Sequence, residues 1–160
     1  PPASACSCVG YNFEEAVESA DLIADARVRE RLSPLPGEAS YAVVVDRVWK
    51  GEERRQIVLR TNDQPTACGL GRLPAGYELR LWAHGEDGRY SMSWCAYPVD
   101  GDYQTEPERL TAMLGEPTDL TGEPTSLRRS WVIAGVSVPV IVLTTGLIIW
   151  LVQQRRGQRR

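Results

Sequence analysis

The sequence predicts a mainly β protein: a five-stranded OB-like barrel with short flanking helices, followed by one C-terminal transmembrane helix. Three observations carry this. Five β-branched or alternating runs fall within about 100 residues, too few for a sandwich, which wants about seven, and enough for a small closed or partly open barrel. Turn residues separate the runs at short intervals. Residues 131–152 form one uncharged apolar stretch, WVIAGVSVPVIVLTTGLIIWLV.

Asn12 to Ala20 predicts a short helix, with Asn12 as N-cap, Glu14 and Glu15 in the first turn, and Phe13, Ala16, Val17 and Ala20 on one face. Leu22 to Arg31 alternates Ala26 and Val28 with Arg27, Arg29 and Arg31, the pattern of a half-buried strand. SPLPGE at 33–38 is a loop. Tyr41 to Trp49 (YAVVVDRVW) is the second strand, closed by Lys50-Gly51, and Gln56 to Arg60 is the third. Tyr77 to Ala83 puts Tyr77, Leu79, Leu81 and Ala83 on one side. Asp87-Gly88 is a hairpin turn, and Arg89 to Cys95 is the fifth strand. Pro107 to Leu114 predicts a second helix, and Gly115 to Ser126 reads as a stalk without a core.

The 131–152 stretch would reach about 33 Å as a helix, enough for a hydrocarbon core of about 30 Å. Trp131 and Trp150 stand at its ends, where indoles favour the headgroup level, and Pro139 is tolerated in a spanning helix. Arg155, Arg156, Arg159 and Arg160 follow it and place the tail in the cytoplasm, against Arg128 and Arg129 on the other side. The expected organisation is a leader end or extension at 1–5, a domain at 6–104, a short helix and stalk at 105–130, the membrane span at 131–152 and a basic cytoplasmic tail at 153–160. Ala3-Ser4-Ala5 has the A-x-A form of a signal-peptidase site that would cut before Cys6. A cell-wall sorting signal needs an L-P-x-T-G motif, of which Thr121-Gly122 keeps only the T-G step.

Charge excludes nucleic acid as a partner. Up to Ser126 there are 12 basic residues against all 21 acids, a balance of 12 − 21 = −9. Nucleic-acid binding requires clustered cations on the folded surface. Arginine outnumbers lysine 17 to 1, the composition of a GC-rich genome such as an actinobacterium's. No enzyme is expected. His84, the only histidine, has no nucleophile motif beside it, and Glu14-Glu15, Glu52-Glu53 and Glu86-Asp87 are adjacent pairs that do not converge as an acid and a base do. Gly69-Leu70-Gly71 with Gly76 lacks the third glycine of a dinucleotide fingerprint, and no cofactor is implied. Trp49, Trp82 and Trp94 suit core packing or a protein interface.

The four cysteines, Cys6, Cys8, Cys68 and Cys95, lie on the N-terminal side of the span, as in an oxidising exterior. No C-x-x-C knuckle supports a zinc site. In an extended segment Cys6 and Cys8 point to one face, and a bond between them would be strained. Two pairings remain, Cys6–Cys68 with Cys8–Cys95 or the crossed set, and either staples the N-terminus onto the barrel.

CSCV at 6–9, DLIADARV at 21–28, YAVVVDRVWKG at 41–51, ACG at 67–69 and YELRLWAHGEDGRYSMSWC at 77–95 follow the order and spacing of netrin-like domains, and the chain most resembles the N-terminal domain of tissue inhibitors of metalloproteinases over Cys6 to Pro98. The resemblance implies an OB barrel with bridges Cys6–Cys68 and Cys8–Cys95. It also implies a protease-contact ridge of Cys6, Ser7, Cys8 and Val9, in which the free amine and carbonyl of Cys6 chelate a target protease's zinc and Ser7 enters the specificity pocket. The protein has no metal site of its own in this reading. Two features depart from that pattern: Phe13 and Glu14 stand where a cysteine of a third disulfide is expected, and a stalk and anchor replace the cysteine-rich C-terminal lobe. Netrin-like domains also serve as partner-binding modules. The expectation is therefore a single-pass protein of the cell membrane, its domain outside, that binds an extracellular protein, with a zinc metalloprotease as the alternative target.

Overall fold

The computed structural model describes residues 7–33 and 37–124. The chain divides into two units, 1–123 and 124–160, and the first is the domain described below. The membrane span expected at 131–152, with Trp131, Trp150, Arg155 and Arg156, lies outside the described residues, among which no helix is long and apolar enough to cross a membrane.

The domain is mainly β, with a closed five-stranded barrel and two short helices. Strands β1 (Leu22–Arg31), β2 (Glu38–Lys50), β3 (Gln56–Asn62), β4 (Glu78–Glu86) and β5 (Arg89–Ser91) close in the order β1-β2-β3-β5-β4-β1. All neighbours are antiparallel except β3 and β5, which run parallel with Leu59 opposite Tyr90. β1 belongs to both walls: Ala24 pairs with Val48 on β2 and Leu81 on β4. Its register against β2 shifts three times, and such bulges bend a strand around a barrel corner. Val28, Tyr41, Val43, Val45, Ile57, Leu59 and Leu81 fill the interior, each almost fully buried.

Helix α1 (Phe13–Ser19) forms because Asn12 and Glu15 close a reciprocal capping box, the Asn12 side chain accepting from the Glu15 N–H at 2.9 Å and Glu15 Oε2 from the Asn12 N–H at 3.0 Å. It lays Phe13 edge-on against Trp82, with ring centroids 5.6 Å apart. Sequence alternation puts Tyr77, Leu79, Leu81 and Ala83 on one side; Tyr77 precedes β4 and is half-exposed, and Arg80 and Trp82, on the opposite face of the strand, are buried as well. Asp87 and Gly88 both take positive φ, 52° and 71°, in the turn joining β4 to β5.

The strand bounds differ from the sequence reading: β3 runs on from Arg60 to Asn62, and β4 covers Glu78–Glu86 instead of Tyr77–Ala83. β2 starts at Glu38 instead of Tyr41, because Glu38, Ala39 and Ser40 find partners in Asn62, Thr61 and Arg60 of β3. β5 ends at Ser91, and Trp94–Ala96 makes a single 3-10 turn fixed by the Trp94 N–H to the Cys68 carbonyl at 2.9 Å. After helix α2 (Glu106–Leu114), the segment read as a coreless stalk adds β6 (Thr118–Asp119) beside Arg47 and Val48 of β2, and Leu120 is buried. The Pro- and Thr-rich composition hid a strand whose partner lies about 70 residues upstream.

Candidate functional site

Three segments converge at one end of the N-terminal strap: the extended Ser7–Tyr11 segment, the turn at Ala67–Gly69, and the turn and loop at Trp94–Val99. Each is held there by a specific local cause. Cys68 takes a left-handed conformation at φ 59°, and Gly69 follows it against β3, where a Cβ would stand 1.9 Å from the Asn62 carbonyl oxygen. Only glycine fits that approach. Leu70 then donates its N–H to Thr61 Oγ1 at 3.0 Å.

The strap is tied down by a disulfide between Cys8 and Cys95, whose Cα atoms are 5.2 Å apart. Cys68 is also disulfide-bonded, with its sulfur in a group whose members lie within 4.8 Å of one another, together with those of Cys8 and Cys95. The Cys6 of the sequence reading lies outside the described residues. Metal binding needs thiolates, and these three sulfurs are oxidised. One backbone hydrogen bond reinforces the strap, from the Val99 N–H to the Tyr11 carbonyl at 2.9 Å. Gly10 leaves room for Val99, whose Cγ1 stands 2.0 Å from where a Cβ would be.

The result is a cross-linked strap that shows apolar side chains to solvent. Ser7 and Cys8 are exposed, Val9 is 92 % exposed, and Val99 beside Gly10 is 71 % exposed. Trp94, one residue before Cys95, is 52 % exposed, unlike Trp49 and Trp82, which are buried.

His84 sits at the surface of β4 with Nδ1 3.9 Å from Asp21 Oδ2. The nearby Ser91 hydroxyl donates to the backbone carbonyl of His84 at 3.3 Å and not to the imidazole, so the two do not form a nucleophile and base pair.

Sequence reasoning missed a buried ionic cluster. Arg80, 2 % exposed, donates to Asp25 Oδ1 at 2.9 Å, Glu106 Oε2 at 3.1 Å and the Tyr103 carbonyl at 3.1 Å, and its guanidinium lies over the rings of Trp49 and Tyr103 at 5.5 and 4.7 Å. Its one local signal is a charged residue between Leu79 and Leu81. Glu106 comes 26 residues later, and nothing in the sequence links the two. A second cluster flanks it: Arg27 and Arg55 both bind Asp46, at 2.8 and 2.6 Å. Burial pushes the Asp46 carboxyl up, and the hydrogen bonds from Arg27 and Arg55 overcome this and hold it below the usual carboxylate range.

No protein-family model and no curated protein sequence matches the chain.

Proposed function

We propose that this domain is an extracytoplasmic protein-binding module of netrin-like type, held in a membrane by the 131–152 span, with the disulfide-anchored strap and the Trp94–Val99 loop as its docking surface. The observation that carries the reading is two exposed apolar side chains on segments held together at the barrel, Val9 at 92 % beside the Cys8–Cys95 bridge and Val99 at 71 %, packed against Gly10. Apolar side chains on a preorganised backbone lose little entropy on binding, which favours their use as an interface. The barrel order β1-β2-β3-β5-β4-β1 agrees with the OB topology expected of such a domain. The test is photo-crosslinking on intact cells from a reactive residue placed at Val9 or Val99, with Glu53 as control position. A discrete adduct from Val9 and Val99 and none from Glu53 is expected. No adduct at any position, or the same adducts at all three, refutes the reading.

A second reading is favoured by the same ridge. Ser7, Cys8 and Val9 are presented outward beside the Cys8–Cys95 bridge, as a segment inserted into a protease cleft must be. In this reading the free amine and carbonyl of Cys6 chelate the zinc of a metalloprotease. The condition is chemical: a primary amine has a lone pair for zinc, whereas an amide nitrogen behind Ala5 has delocalised it. A chain beginning at Cys6 is expected to inhibit a zinc protease, and acetylating its amine or adding one alanine before it to abolish inhibition without unfolding the barrel. Absence of inhibition across a metalloprotease panel by the folded Cys6 form eliminates this reading and leaves the binding module.

A further inference from the structure

Beside the docking surface lies an open cleft of about 610 Å³. Its walls are aromatic: Tyr77, Trp94, Tyr97 and Tyr103 all line it, and Pro98 connects it to Val99. Three of these rings are unusually open to water, Tyr77 at 46 %, Trp94 at 52 % and Tyr103 at 55 %, so three of the four half-exposed aromatic residues among those described share one cleft. The charged residues that line it, Glu78 and Glu106, are both acids. Glu106 is committed to Arg80. Glu78 is exposed, and its cross-strand neighbour Arg27 is held by Asp46 at 2.8 and 3.1 Å.

Aromatic faces with a carboxylate at the rim are the chemistry that binds an organic cation. The protein already uses it here: the Arg80 guanidinium rests 4.7 Å from the Tyr103 ring centroid while donating to Glu106. Tyr97 and Tyr103 are phenols, neutral at physiological pH at their ordinary value, and burial pushes both hydroxyls further up. A barrel with a balance of −9 up to Ser126 also draws cations in.

The geometry points to this cleft as a receptor for an arginine or lysine side chain of the partner protein, an inference that rests on reading this end of the domain as a protein-docking surface. An aliphatic stem would lie along Trp94 and Tyr77, with the cationic head toward Glu78. A partner side chain fits better than a free small cation because Pro98 in the cleft wall leads directly to the exposed Val99 of the proposed docking surface.

The experiment uses the full 160-residue chain in detergent micelles and follows tryptophan indole N–H resonances by NMR, with Trp94 assigned through Trp94→Phe. The probes are acetyl-Gly-Arg-Gly-amide, its lysine counterpart, its neutral citrulline counterpart, and choline. The Trp94 resonance is expected to move saturably with the arginine or lysine peptide and not with citrulline, while the fully buried Trp82 stays fixed. Glu78→Gln and Tyr77→Leu, both at exposed positions, are each expected to weaken binding about fivefold. Equal titration by the citrulline peptide, no movement with any probe, unchanged binding in both variants, or binding of choline but of neither cationic peptide overturns the proposal. If the peptides fail while crosslinks from Val9 persist, only the cleft assignment falls; if both fail, the docking surface falls with it.

Discussion

Replacing Arg80 with alanine tests how the barrel tolerates a charge in its wall. The guanidinium and the Glu106 carboxylate are 3 % and 5 % exposed. Asp25 keeps a second partner in Arg47 at 2.6 Å, so the loss falls mainly on Glu106, which is left buried without its cation. Removing one partner of a buried pair costs about 3–5 kcal/mol, and the Tyr103 carbonyl loses a donor worth about 1 kcal/mol more. Against a domain stability of about 5–15 kcal/mol this is severe but survivable. With an m value of about 2 kcal/mol per M, the urea midpoint of the full chain, followed by far-UV circular dichroism, is expected to fall by about 2–3 M. Arg80→Lys retains the charge but cannot fork to both carboxylates, and is expected to fall between. Arg80→Met with Glu106→Leu removes both charges and should recover at least about 2 kcal/mol relative to the sum of the single changes. A loss under about 1 kcal/mol in Arg80→Ala, or strict additivity in the double variant, refutes the argument.

Three further outcomes follow from the structure. Cys8→Ser with Cys95→Ser opens a bond between residues 87 apart and is expected to cost about 4 kcal/mol by loop entropy, measured by urea unfolding without reductant; a change under about 1 kcal/mol would show that the remaining crosslink suffices. Gly69→Ala drives a Cβ into the Asn62 carbonyl and is expected to cost about 3 kcal/mol in the same assay, whereas Gly122→Ala, with nothing within 4 Å, stays within about 0.5 kcal/mol. Asp46 has its folded-state carboxyl lowered, so its contribution is full above the unfolded value and is lost as pH falls through the folded one: the gap between the unfolding midpoints of the parent and Asp46→Asn should hold steady above about pH 4 and close progressively below it, and a gap that stays constant to the lowest pH at which the barrel folds would contradict this.

The elements legible in the sequence are those whose causes are local. Asn12 and Glu15 announce the start of α1, and Leu22 and Arg31, the bounds read from alternation, are the bounds of β1. Asp87-Gly88 is a turn because its φ values require it. What stayed hidden depends on distant partners. The first residues of β2 are polar or small and become a strand only because β3 lies alongside. β6 is two residues long and exists through Arg47 and Val48. Trp94 resembles Trp49 and Trp82 in its neighbours, yet it is exposed because the chain leaves β5 and turns at Cys95 to meet Cys8. The aromatic cleft was illegible for the same reason: Tyr77 and Tyr103 are 26 positions apart and meet only through the fold.

The strap itself argues that its apolar side chains serve something other than folding. Among the described residues of its extended part, Ser7 to Tyr11, none is buried; the Cys8 bridge and the bond from the Val99 N–H to the Tyr11 carbonyl tie it to the barrel. Val9 at 92 % exposure gains almost nothing from burial, since the hydrophobic gain scales with area removed from water. A segment with no buried residue would fray in a chain without the crosslink, because ordering each residue costs about 1–2 kcal/mol of backbone entropy. The Cys8–Cys95 bond relieves that cost by confining the strap in the unfolded chain too. Stability therefore accounts for the cysteines and for Gly10, which makes room for Val99, but not for the valine at position 9. A side chain that the fold holds in place without covering is one that a partner can cover, and the acidic aromatic cleft alongside adds charge selection to an otherwise non-directional apolar contact.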